Sequence, residues 1–310
     1  MEEWGDCPVW SDLGAYKIMN LTIGKHAGFC FGVRRAVKTA FDAAEEKIDC
    51  VTLGPLIHNP QEVERLEQAG IRSVDSLDEV KPGQTVIIRS HGVTPEVYAQ
   101  CEARGLHYID ATCPHVAHIH QLVSDYSADG DTVIIIGEAD HPEVVGIAGW
   151  AKGPVVILYD EDAARTAYLP EKAMVVAQTT IRRDRFEEVL AVIKERVRDL
   201  TVRMTICAAT SQRQSEAGEL SRQADVMVVV GGHNSSNTKK LFETCRLRCP
   251  RSILVETPED VPQGVIKKSD RVAITAGAST PQWLLEEVRA RIEACVESDA
   301  QSIKTGGAKD

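Results

Sequence analysis

Three cysteines stand in matched surroundings: Cys30 in AGFCFGV, Cys113 in DATCPHV and Cys207 in TICAATSQRQ. Each follows a short apolar run and precedes a segment that reads as a helix start. The spacing is 83 residues from Cys30 to Cys113 and 94 from Cys113 to Cys207. One cysteine per such stretch suggests three similar units, each delivering one thiolate to a shared point. Three thiolates on one metal centre would leave a coordination position open for chemistry. A helix N-terminus just after each cysteine would depress its pKa and favour the thiolate. A single cysteine of this kind is ordinarily structural, and it is the recurrence that argues for ligation.

Other polar groups recur in similar places. His58 lies in GPLIHNP, His91 in RSHGV and His141 in ADHPEV, each after a strand-like segment and before a turn or helix start. One histidine there is more often a satisfied polar group than a catalyst; three point to a polar pocket, because histidine can offer a proton to an anion near neutral pH. Glu143 follows His141 by two residues, and in an extended loop both side chains would share one side, making Glu143 a candidate proton donor. The plainer reading is a helix-starting glutamate after Pro142. Hydroxyls and amides cluster at Thr179 and Thr180, at Ser235, Ser236 and Asn237, and at Ser279. Such groups at a helix N-terminus cap the helix or bind phosphate through free backbone amides. No GxxxxGK[ST] or GxGxxG stands in the right context, which disfavours P-loop and Rossmann cofactor binding.

The elements that must position these groups alternate strand and helix. Apolar, β-branched runs at 20–23, 85–88, 132–136, 155–158, 173–177, 226–230, 252–255 and 271–275 predict strands. Amphipathic patterns at 32–46, 60–68, 95–103, 116–126, 183–197, 213–224, 237–246 and 281–297 predict helices. That alternation implies an α/β fold with mainly parallel sheets. Two strand-like runs, 132–137 and 226–231, end in glycine and lead into polar motifs, GEADHPE and GGHNSSN, as expected of repeated units with ligands at strand ends. The tail from Gln301 reads as disordered.

Composition sets outer limits. The chain has 310 residues, enough for two or three domains, and a formal charge of −11. An acidic chain lacks the basic footprint of a nucleic-acid binder, so any phosphate must be held by local groups. No apolar run is long enough for a membrane span, and the acidic first 16 residues do not read as a targeting signal, so the cytoplasm is the expected compartment. Nine cysteines without an export signal favour metal or redox chemistry over a disulfide framework. Cys7, Cys50, Cys101, Cys245, Cys249 and Cys295 have no repeated surroundings and read as bland; the Cys245/Cys249 pair has no second ligand pair to make a zinc knuckle.

The motifs AGFCFGVRRA, GPLIHNPQ, RSHGV, DATCP, DHPEVVG, QTT, TICAATSQRQ, NSSNTKKL and TAGASTP occur in this order and cover nearly all of the chain from Leu21 to Trp283. In this the chain resembles the LytB family of 4-hydroxy-3-methylbut-2-enyl diphosphate reductases. The resemblance implies three similar α/β domains in a pseudo-threefold trefoil around a central iron–sulfur cluster: 20–112 with 281–300, 113–203, and 204–280, after an N-terminal extension 1–19 and before the tail 301–310. It implies one [4Fe–4S] cluster per chain, held by Cys30, Cys113 and Cys207, whose fourth iron has no protein ligand and takes the substrate's allylic hydroxyl. His58, His91, His141, Ser235, Ser236, Asn237 and Ser279 would contact the diphosphate, with Thr179 and Thr180 also in the substrate site. Glu143 would supply protons, with Thr179 and His141 in the catalytic group. Two electrons and two protons would give isopentenyl and dimethylallyl diphosphates and water. Reduced flavodoxin or ferredoxin is the implied electron donor, with neither nucleic acid nor membrane as partner. A non-catalytic iron–sulfur sensor would not need Glu143, Thr179 and the Asn234–Asn237 run together, and a zinc hydrolase would be colourless.

Overall fold

Strands such as TVIII (132–136) and VMVVV (226–230) carry apolar side chains on both faces, so both faces must be covered. The computed structural model describes residues 20–306, with side chains to Glu297, and it covers such strands in three separate sandwiches. After β1 (Asn20–Ile23) and α1 (Phe31–Glu45), the first sheet forms from β2 (Cys50–Leu53), β3 (Arg72–Val74), β4 (Thr85–Ile88) and β5 (Tyr108–Asp110). Helices α1 and α2 (Pro60–Gln68) pack on one face and α3 (Pro95–Ala103) on the other. The second sheet comprises β6 (Thr132–Ile136), β7 (Val155–Leu158), β8 (Lys172–Ala177) and β9 (Asp199–Val202). It lies between α4 (Pro114–Tyr126) with α5 (Pro142–Gly149) and α6 (Glu161–Thr166) with α7 (Arg183–Arg196). The third contains β10 (Val226–Val230), β11 (Ser252–Val255) and β12 (Arg271–Ala276), flanked by α8 (Ala208–Gln223) and α9 (Ser236–Arg246) on one side and α10 (Gln282–Gly306) on the other.

All pairings are parallel, and the strand orders coincide. The sheets run β3-β2-β4-β5, β7-β6-β8-β9 and β11-β10-β12-β1. Each is therefore second-first-third-fourth within its unit, and the chain's own first strand fills the fourth place of the last unit. The molecule is a pseudo-threefold trefoil with a circularly permuted start. Ile134, Ile135 and Ile136 are all fully buried. Burial of that kind stabilises by about 1.5–3 kcal/mol per side chain, which makes the sheets firm platforms for the loops at their ends.

Several expectations change. The grouping of 20–112 with 281–300 does not hold: β1 pairs with β12, and α10 packs its Leu284, Val288 and Ile292 onto the sheet of β10 and β12. The reason is local, since α10 follows β12 directly and folds back onto the same sheet. Strands β2, β3, β5 and β9 and helix α6 were not predicted; these strands are three or four residues long, and β3, β5 and β9 carry Arg72, Asp110 and Asp199. Residues 142–149 are a helix rather than an extended loop, which bears out the plainer reading of Glu143 as a first-turn glutamate. Helix α8 starts five residues earlier than predicted, at Ala208, with Cys207 in the N-cap position. Helix α10 continues past Gln301 to Gly306, since no Gly or Pro interrupts it before that point. The expected extension 1–19, with Cys7, lies outside the described residues. Among the described residues, no helix is long and apolar enough to cross a membrane.

Candidate active site

Open α/β sheets bind ligands outside the carboxyl ends of their strands. Here the equivalent strand ends of all three sheets face one cavity. After the first strands (β2, β6, β10) come His58, His141 and the Ser235–Asn237 run. After the third strands (β4, β8, β12) come His91, the pair Thr179 and Thr180, and Ser279. After the fourth strands (β5, β9, β1) come Cys113, Cys207 and Cys30. Every residue singled out from the sequence for this site, Glu143 included, lines the cavity, which encloses about 750 Å³ of atom-free space with its mouth.

Each cysteine is the N-cap of a long helix: Cys30 of α1, Cys113 of α4 and Cys207 of α8. The Cys30 sulfur accepts from the Val33 amide at 3.5 Å. A Cβ on Gly32 would fall 2.5 Å from the Cys113 sulfur, so glycine at that position lets the first two cysteines converge. The three thiols are half-buried and unpaired, and each faces the cavity instead of packing into a core. Burial pushes the Cys113 thiol up, the amides of His115 and Val116 oppose this, and Cys30 and Cys207 push it up further. Three mutually repelling sulfurs around open space, at three positive helix ends, fit an iron–sulfur cluster that replaces the thiol protons. Cys50, Cys101, Cys245, Cys249 and Cys295 are instead buried in the sandwiches.

The histidines form a second cluster. Ring centroids of His58 and His91 lie 4.6 Å apart, and each lies 5.5 Å from that of His141. They offer nitrogens within 4.8 Å of one another. The surroundings decide between a cation and an anion as guest. Arg89 depresses the protonation of all three by its charge, Lys240 acts likewise on His141, and α2, α5 and α9 begin at Asn59, His141 and Ser235 beside them. Glu138 opposes this at His58 and His141 but is itself paired with Lys240, so the balance of charge and helix ends favours an anion over a metal ion. His58 Nε2, His91 Nδ1, Thr180 Oγ1 and Asn237 Nδ2 are buried without partners, a set of polar groups that a phosphate oxygen would satisfy. Ser235 caps α9 by accepting from the Thr238 amide at 3.2 Å, and Ser279 donates to the His58 carbonyl at 3.0 Å.

Burial disfavours the protonated rings: His141 is pushed down to about 4, and His58 and His91 are lowered as well, with repulsion from His58 adding to the effect at His91 and His141. A bound diphosphate reverses the sign, since nearby negative charge favours the protonated rings. Pyrophosphate binding at pH 7 is therefore expected to take up protons. Calorimetry in two buffers of different ionisation enthalpy checks this, and a binding heat independent of the buffer would contradict it.

Glu143 sits in the first turn of α5, 3% exposed. Its Oε1 accepts from the Thr179 amide at 2.6 Å and its Oε2 from the Thr179 hydroxyl at 2.7 Å. Burial pushes its pKa up; the Thr179 bonds and the charges of Lys240 and His115 oppose the rise. His141 Nδ1 accepts from the Glu143 amide at 3.1 Å, leaving its Nε2 as the protonated nitrogen of the neutral ring.

Sequence reasoning left several groups unassigned. Lys240, 4% exposed, pairs with Glu138 Oε1 at 3.0 Å, and the Ser236 hydroxyl donates to that same oxygen at 3.1 Å. His115 and Arg213 also line the cavity, Arg89 acts on its histidines, and Gln178 Oε1 accepts from the Glu138 amide at 3.2 Å. Arg213 and Lys240 stand inside quoted motifs, TSQRQ and NSSNTKKL, but a charged residue type does not announce burial.

A family model described as LytB protein matches residues 21–293. A 4-hydroxy-3-methylbut-2-enyl diphosphate reductase of Geobacter sulfurreducens is 46% identical over 279 residues, covering 89% of this chain and 97% of that protein. The reductase of Alkaliphilus oremlandii is 42% identical over 88% of this chain and 99% of its own. A solved (E)-4-hydroxy-3-methyl-but-2-enyl diphosphate reductase, described as the terminal enzyme of the non-mevalonate pathway, superposes with TM-score 0.67 at 40% identity, covering 89% of this chain and all of that one. The reductase structure from Plasmodium falciparum gives TM-score 0.83 at 28% identity, covering 88% and 87%.

Proposed function

The chain belongs to the LytB family and catalyses its iron–sulfur-dependent reduction of (E)-4-hydroxy-3-methylbut-2-enyl diphosphate to isopentenyl and dimethylallyl diphosphates, and we propose that it does so in the cavity where its three sheets meet. The single observation that carries this assignment of the site is the threefold register of loops. Equivalent strand ends bring three thiols, three histidines and a group of hydroxyls and an amide to one shared cavity. Cys30, Cys113 and Cys207 would hold one [4Fe–4S] cluster, with its fourth iron free of protein ligands. When bound, the cluster supplies electrons and a Lewis-acidic iron for the allylic hydroxyl.

The chain's own residues do the rest. His58, His91, His141, Ser235, Ser236, Asn237 and Ser279 bind the diphosphate and fix the hydroxyl end toward the thiols. Glu143, whose acid form burial favours, would hold a proton at a carboxyl oxygen 2.7 Å from the Thr179 hydroxyl. Thr179 orients that carboxyl and, with Thr180, lines the path to the substrate. The proton passes to the departing hydroxyl, the C–O bond breaks and water leaves. Hydroxide is a poor leaving group, so this protonation lowers the barrier. Two electrons and a second proton, added at one or the other end of the allyl unit, give dimethylallyl or isopentenyl diphosphate. Activity that needs the acid form of Glu143 falls as pH rises through its elevated pKa.

A reduced flavodoxin or ferredoxin is the proposed electron donor, and the cytoplasm the proposed compartment. An anaerobic assay with a reduced low-potential donor and the hydroxylated diphosphate is expected to yield both five-carbon diphosphates. Absence of either product from an iron-loaded sample would count against the reading.

A further inference from the structure

Arg213 is a buried cation that the reaction scheme above does not use. It lies in α8, six residues after the cap Cys207, and is 3% exposed. Its guanidinium donates through Nη2 to the Gly28 carbonyl at 2.7 Å, and through Nη1 to the Ala209 carbonyl at 3.4 Å. It thereby ties the loop that carries Cys30 to the helix that Cys207 caps. Its Nε is buried without a partner. No ion pair involves it among the described residues. Glu216, one turn further along α8, is occupied by the amides of Lys25 and His26 at 2.7 and 2.9 Å.

An arginine taken out of water without a carboxylate is costly unless another anion stands beside it. The groups whose charge acts most on Arg213 are Cys30 and Cys207, and Arg213 lines the same cavity as those sulfurs. We infer that Arg213 is the countercharge of the iron–sulfur cluster, a positioning residue that raises the cluster's reduction potential and so sets how readily a donor can load it. The inference rests on the cluster reading given above. Its sign is fixed by charge: gaining an electron makes the cluster more negative, and a nearby cation favours the more negative state. Local charge is among the factors that tune such potentials.

The test is a redox titration of anaerobically prepared holoenzyme, followed by electron paramagnetic resonance. Iron content and the wild-type spectrum test the cluster reading by themselves; the difference between variants tests this inference. Arg213→Gln, which removes the charge, is expected to weaken the one-electron reduction equilibrium about tenfold, a fall of ~59 mV. Arg213→Lys, which keeps the charge, is expected to stay near wild type. Because Arg213→Gln also removes two carbonyl bonds that hold cysteine segments, Glu216→Gln supplies an independent reading. It leaves Arg213 in place with less compensation and is expected to move the potential upward. Equal shifts in the Gln and Lys variants of Arg213, or an unmoved potential in Glu216→Gln, would overturn the inference.

Discussion

Glu143→Gln is expected to lower turnover by about 10²–10⁴-fold, or roughly 3–5 kcal/mol of barrier, the range ascribed to a positioned general acid. Glutamine matches the carboxylate in shape and can still accept from Thr179, so the geometry of α5 and of the Thr179 loop should survive. The acidic proton cannot be replaced. Diphosphate affinity should stay close to wild type, because the binding groups His58, His91, Ser236 and Asn237 are untouched. Iron content should also be unchanged, since the thiols sit on α1, α4 and α8. Steady-state assays, pyrophosphate binding and iron analysis on one preparation separate these quantities. Near-normal turnover would remove Glu143 from its assigned role.

Replacing Cys207 by alanine is expected to have the other large effect: a colourless, iron-poor protein with no measurable reduction. Two thiols then face a site that needs three, while the fold has little reason to fail. Cys207 is half-buried and makes no side-chain capping bond to α8, so its loss removes no packed core contact. Cys245→Ala gives the contrast. Cys245 is fully buried in the third sandwich with Met227, Val229 and Leu241. Its truncation leaves a cavity and lowers the denaturation midpoint, yet the brown colour should remain. Loss of colour in both variants, or in neither, would contradict the division between the three ligating cysteines and the bland ones.

The parts legible in the sequence were those with strong local signatures. Long β-branched strands such as β6, β8 and β10 announce themselves because both faces are apolar. Cys30, Cys113 and Cys207 were visible as residues after short apolar runs and before helix starts, and the structure places each at a helix N-cap. The cluster proposed to hold the diphosphate was legible through its histidines and hydroxyls, which are uncommon residues to find repeatedly at strand ends. What stayed hidden depends on the third dimension. The pairing of β1 with β12 joins strands about 250 residues apart (20–23 with 271–274), and no local pattern encodes it. The extended reading of 141–143 placed His141 and Glu143 on one side. The structure instead makes His141 the cap of α5 and turns Glu143 inward to Thr179. Lys240 and Arg213 look like surface residues of amphipathic helices until their burial is seen.

The acidic balance of the chain also finds its place. A net charge of −11 would repel a diphosphate and a thiolate-bound cluster if it were spread evenly. Instead Arg213 lines the cavity, the charges of Arg89 and Lys240 act on its histidines, and six helices begin around it, three at the cysteines and three at the histidine and hydroxyl cluster. Local groups supply the positive field that the surface lacks.

The central claim is that three cysteines from three equivalent strand ends hold a cluster whose remaining iron faces the substrate. Mössbauer spectroscopy of anaerobically purified, iron-57-enriched protein tests it most directly. The account predicts one iron site distinct from three thiolate-bound ones, with the distinct site alone shifting when the hydroxylated diphosphate is added. Four equivalent irons indifferent to substrate, or an iron-free protein with full activity, would contradict it.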